Sequence, residues 1–129
     1  MAKKLKDFVS EARSQIEEIT PDDVERMRGE KPDLLILDVR EPGEYEAGHL
    51  RDALNVPRGV LEPAADPDYK KPNPTLSTAY ERPVAVYCAT GGRSALAVKT
   101  LNEMGFKEVY SLGGGYENWE AEDRETVTD

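Results

Sequence analysis

The chain predicts an α/β domain built on a parallel sheet, and three strand-like runs carry that prediction. Leu34-Leu35-Ile36-Leu37-Asp38-Val39 is nearly continuous in apolar character, the composition of a strand covered on both faces. Val84 to Tyr87 and Glu108 to Leu112 read as further strands, and stretches with apolar residues at helical spacing lie between the runs. Strands alternating with helices imply parallel pairing through right-handed crossovers. In such sheets ligands bind beyond the carboxyl ends of the strands.

A length of 129 residues suits one domain with a real core and is too short for two of ordinary size. Leu5, Phe8, Val9, Ala12, Ile16 and Ile19 fall on one helical face, so residues 1–19 are expected to form an amphipathic helical extension packed on the domain. Thr20-Pro21-Asp22-Asp23 supplies a capping residue, a proline at the first helical position and an acid three after the cap. With Gly29 as a stop, a short helix over Pro21 to Arg28 follows. Leu34 to Val39 should be a central strand. Glu41-Pro42-Gly43-Glu44 then breaks it, Glu44 to His49 is expected to form one helical turn, and Ala53 to Pro57 a second short strand.

From Glu62 to Pro83 the chain holds Pro63, Pro67, Pro72, Pro74 and Pro83 among polar residues. That composition resists regular structure and reads as a long surface excursion, either a binding element or a simple insertion. Behind the strand ending at Tyr87, Ala95, Leu96, Val98, Leu101 and Met104 mark a helix stopped by Gly105. Glu108 to Leu112 leads into Gly113-Gly114-Gly115 and a last helix carrying Tyr116 and Trp119, the tryptophan expected in the core. The main domain spans 20–122, and 123–129 forms an acidic tail.

Lys and Arg number 17 against 26 for Asp and Glu, a formal charge of −9, which argues against nucleic-acid binding through a basic face. No apolar run approaches the roughly 18 residues of a membrane span, and the first residues lack the apolar core of a secretory signal. No membrane association is expected. A single cysteine cannot form an internal disulfide and is at ease in a reducing compartment, so the cytoplasm is the expected location. One Cys and one His give too few ligands for a metal site, and no cofactor is expected.

That cysteine, Cys88, follows a strand and precedes Ala89-Thr90-Gly91-Gly92-Arg93-Ser94 and a helix. Backbone N–H groups left unpaired at such a turn favour the thiolate, the reactive form. Without that context a lone cysteine is commonly a small buried hydrophobe. Gly91 and Gly92 allow a tight loop with its N–H groups turned inward, an anion cradle around the sulfur. Arg93 adds a permanent charge that either holds an oxyanionic substrate or forms a salt bridge to a nearby carboxylate. Ser94 reads as a helix-start residue. His49, the only histidine, reads as a structural hydrogen-bonding group rather than a catalytic base.

Leu37-Asp38-Val39-Arg40-Glu41-Pro42, Glu44-Tyr45, Gly48-His49-Leu50, Ala53-Leu54-Asn55-Val56-Pro57, the Cys88 loop and Leu112-Gly113-Gly114-Gly115-Tyr116-Glu117-Asn118-Trp119 together resemble the rhodanese family of single-domain sulfurtransferases. The resemblance implies a five-stranded parallel sheet flanked by helices on both faces. It implies that Cys88 cycles through a persulfide, taking sulfane sulfur from thiosulfate or a persulfide and passing it to a thiol or cyanide. The backbone of Ala89, Thr90, Gly91 and Gly92, with Arg93, would bind the substrate, and Asp38 and Arg40 resemble positions that tie loops together. Arg58 either lies near the mouth or forms a surface salt bridge. Related phosphatases have a longer loop between cysteine and arginine, so phosphatase activity ranks below sulfur transfer.

The long thiosulfate enzymes of the family carry basic residues after the cysteine and in the segment matching Glu44. Here Ala89, Thr90 and Glu44 occupy those places, which puts efficient use of thiosulfate in question. A carrier that relays persulfide between proteins is the alternative to an enzyme acting on small donors and thiols.

Overall fold

A computed structural model describes residues 2–129; Met1, the first residue of the expected extension, lies outside them. Five strands, β1 (Glu17–Ile19), β2 (Leu35–Asp38), β3 (Leu54–Asn55), β4 (Pro83–Tyr87) and β5 (Glu108–Leu112), form one sheet in the order β1-β5-β4-β2-β3. Every pairing is parallel. Six α-helices among the described residues connect and cover it: α1 (Leu5–Arg13), α2 (Pro21–Glu30), α3 (Pro42–Ala47), α4 (Leu61–Ala65), α5 (Gly92–Met104) and α6 (Gly115–Ala121). Alternation of side chains along the buried strands divides the core. Leu35, Leu37, Val84 and Val86 pack with Val98 and Leu101 of α5, whereas Ile36, Ala85 and Tyr87 pack with Val24 and Met27 of α2 and Trp119 of α6. Helices therefore cover both faces. No helix among the described residues is long and apolar enough to cross a membrane.

The expected extension is not one helix. α1 stops at Arg13, and Glu17 to Ile19 instead pair with Tyr110 to Leu112 as an edge strand. Two physical causes explain the break. Pro21 disfavours helical backbone at Thr20, so a helix arriving there had to end. The open edge of β5 offers backbone partners to the residues before it. α1 then folds back against α5, burying Ala12.

Two boundaries also move. α2 runs through Gly29 to Glu30, with Arg26 and Glu30 paired at 3.1 Å one turn apart; a glycine inside a helix costs only about 1 kcal/mol. α3 begins at Pro42 rather than Glu44, because proline is suited to a first helical position. The excursion from Glu62 to Pro83 is more ordered than its composition predicts. α4 and a 3₁₀ turn at Leu76–Thr78 bracket it, and Leu61, Ala65, Leu76 and Ala79 are fully buried. Those apolar residues between the prolines supply the burial that composition alone conceals. Asn73 Oδ1 accepts from the N–H of Leu76 at 2.9 Å, Tyr80 donates to the carbonyl of Ala65 at 2.8 Å, and Pro83 opens β4.

The acidic tail folds back on the body. His49 and Val127 exchange backbone hydrogen bonds of 2.9 and 2.8 Å, and Trp119 Nε1 donates to Glu125 O at 2.8 Å.

Candidate active site

Cys88 leaves the carboxyl end of β4 and is 1 % exposed, so its sulfur is addressed mainly by the loop that follows. The N–H of Gly91 donates to Sγ at 3.1 Å and that of Ser94 at 3.3 Å. Gly91 caps α5 with φ of +105°, a left-handed conformation that glycine adopts without strain. The sulfur thus sits at the positive end of a 13-residue helix. Two aimed donors and that dipole stabilise negative charge on it.

The carbonyls of the loop turn the other way. Cys88 O accepts from Tyr116 N at 2.8 Å and Ala89 O from Glu117 N at 3.0 Å, both in the first turn of α6. Gly115 makes this approach possible, since a Cβ there would stand 2.5 Å from Cys88 O and 2.7 Å from Ala89 O. Its φ of +59° adds a second reason for glycine. The side chains of Ala89 and Thr90 bring no charge, and Thr90 is exposed.

Arg93 meets Glu44 in a forked pair, Nη1 to Oε1 at 2.8 Å and Nη2 to Oε2 at 3.0 Å. Of the two roles open to Arg93, the structure shows the salt bridge. The guanidinium holds the Glu44 carboxyl down at about 2, against a usual value of 4.5. Glu44 is fixed from its own side too, because Oε1 accepts from Glu41 N at 2.9 Å at the start of α3.

Asp38 and Arg40 form a buried pair behind the loop. Arg40 Nη2 lies 2.8 Å from Asp38 Oδ2 and 2.7 Å from the carbonyl of Gly48, and its guanidinium stacks 4.2 Å from the Tyr116 ring centre. This joins the end of β2 to the exit of α3 and to α6. Arg58 makes no such contact with the loop: it reaches Glu62 at 3.1 Å and Thr100 at 3.2 Å, the surface salt bridge of its two expected roles. His49 is buried, with Nδ1 2.8 Å from Tyr45 O and its ring stacked on Tyr45 at 3.6 Å.

Three residues enter the site that sequence reasoning did not place there. Ser94, read only as a helix start, has Oγ 3.6 Å from Sγ. Ser111, on β5, has its hydroxyl 2.8 Å from that of Ser94. Its alternation with Val109, on the buried side of β5, was the available signal for Ser111. Arg13, from α1, comes so close to the loop that a Cβ on Gly91 would stand 3.2 Å from its Nη2.

A family model described as Rhodanese-like domain matches residues 20–122. The chain is 40 % identical over 91 residues to thiosulfate sulfurtransferase GlpE of Coxiella burnetii, covering 70 % of this chain and 76 % of that protein. Among solved structures, the polysulfide-sulfur transferase homodimer of Wolinella succinogenes superposes with a TM-score of 0.71 at 33 % identity, covering 92 % of this chain and 83 % of that one. A protein of unknown function from Rhodopseudomonas palustris, described as a possible tyrosine phosphatase, superposes with a TM-score of 0.89 at 32 % identity, covering 98 % and 96 %.

Proposed function

Because the chain belongs to the rhodanese-like domain family and is a sulfurtransferase at that level, we propose that Cys88 carries the transferred sulfur as a persulfide. The observation that supports this most is the convergence of the Gly91 and Ser94 N–H groups on Sγ. In the first step Sγ attacks the outer sulfur of a donor. A bond forms between the two sulfurs, the bond from that sulfur to the rest of the donor breaks, and its electron pair leaves with the departing anion. The loop amides stabilise the sulfur that remains. In the second step an acceptor thiolate attacks the terminal sulfur and leaves with it as a persulfide anion, and the pair of the broken S–S bond returns to Cys88 as its thiolate.

Neither step needs a protein base, provided the leaving group is a stable anion. The role given to His49, which faces Tyr45 and the tail, agrees with that. The donor, acceptor and the loop residues Ala89, Thr90, Gly91, Gly92 and Arg93 as their binding site belong to this proposal. So does relay of persulfide to a protein acceptor, which rapid transfer to a partner with slow turnover of small thiols would favour.

The test is intact mass spectrometry after incubation with thiosulfate, an organic thiosulfonate and a small persulfide in turn. We expect a one-sulfur adduct that is absent in Cys88→Ser. No adduct with any donor would sink the proposal, and Cys88-dependent hydrolysis of an aryl phosphate in its place would establish the phosphatase reading.

A further inference from the structure

The cations around the Cys88 loop are already matched by carboxylates. Arg93 is held by Glu44 through both terminal nitrogens, Arg13 lies 3.3 Å from Glu18, and Arg40 lies 2.8 Å from Asp38. Ala89 and Thr90 add none, and the formal charge of −9 on the whole chain repels an approaching dianion. We propose that Glu44 sets the specificity of the donor step: by occupying the fork of Arg93 and keeping a tethered carboxylate beside the loop, it makes the site select sulfane donors carrying one negative charge or none over the thiosulfate dianion. This deepens the sulfur-transfer reading and rests on it.

The geometry explains why thiosulfate cannot simply displace Glu44. A donor oxyanion that takes Arg93 must break two short charge-assisted hydrogen bonds. The freed carboxylate does not leave, because Oε1 is also tethered to Glu41 N at 2.9 Å. It remains ionised beside the incoming charge. A unit charge about 5 Å away, at an effective dielectric of about 40, alters binding by roughly tenfold per unit of ligand charge.

Two donors isolate that term. Thiosulfate, a dianion, gives its outer sulfur to Sγ and releases sulfite; methanethiosulfonate, a monoanion, gives the same sulfur and releases methanesulfinate. In both, Cys88 thiolate becomes the persulfide anion, the S–S bond of the donor breaks, and charge balances without any added oxidant or reductant. Intrinsic differences in donor reactivity cancel when the ratio of their kcat/KM values is compared between variants.

The experiment measures that ratio in the natural protein and in Glu44→Gln, which keeps an acceptor for Glu41 N, with one thiol acceptor throughout. We expect the variant to raise the thiosulfate-to-thiosulfonate ratio by about tenfold, mostly through KM, and high salt to narrow the difference. A measurement free of mutation stands beside it: in the natural protein added NaCl should raise kcat/KM for thiosulfate more than for methanethiosulfonate, the sign of a repelling mouth. An unchanged ratio in Glu44→Gln, or a salt dependence of opposite sign, overturns the role of Glu44 while Cys88 still loads. Failure of Cys88 to load with any donor overturns the reading beneath it instead.

Discussion

Ser94 addresses the sulfur twice, through its N–H at 3.3 Å and its hydroxyl at 3.6 Å, and the hydroxyl is tied to Ser111. Ser94→Ala keeps the first contact and removes the second, leaving the buried Ser111 hydroxyl without that partner. We expect about 1–3 kcal/mol lower stability by urea unfolding and Cys88 loading slowed by roughly threefold to tenfold in stopped assays. The turn of the loop amides toward Cys88 and the hydrogen bond of His49 to Tyr45 were legible because each rests on near neighbours in sequence. Asp38 with Arg40 is a contact across two positions and was equally open to reading. Glu44 with Arg93 and Ser94 with Ser111 span 49 and 17 positions, and only the packing of α3 and β5 around α5 brings them together.

The Glu44–Arg93 pair also ties α3 to α5. The folded carboxyl titrates near 2, below its usual 4.5, so the contribution of the pair is present above about 4.5 and is lost as pH falls toward 2. Both side chains are 37 % exposed, and solvent screening keeps that contribution below about 1 kcal/mol. Urea unfolding at stepped pH should therefore show the natural protein slightly more stable than Glu44→Gln at pH 7, with the gap closing between pH 4.5 and 2. At this scale the sequence pattern located the strands β2, β4 and β5 well, because buried parallel strands are marked by apolar runs. It misread Ile16 to Ile19, whose spacing fits a helix, since the need of β5 for a neighbour is not written in those residues.

The whole molecule extends past the family match at residue 122. Residues 123–129 bridge His49 through Val127, accept from Trp119 at Glu125, and place Arg124 5.6 Å from the Trp119 ring centre. Removing them uncovers a fully buried indole. We expect truncation after Glu122 to cost about 2 kcal/mol and lower Tm by several degrees in calorimetry, while Cys88 still loads below that Tm. The acidic composition of the tail gave no sign of this docking, which depends largely on backbone groups every sequence possesses. The grip of α6 on the carbonyls of Cys88 and Ala89 has a consequence of another kind. Peptide dipoles around the sulfur are oriented when the chain folds, so an arriving negative charge finds its solvation shell already assembled, and little reorganisation separates the empty form from the charged one.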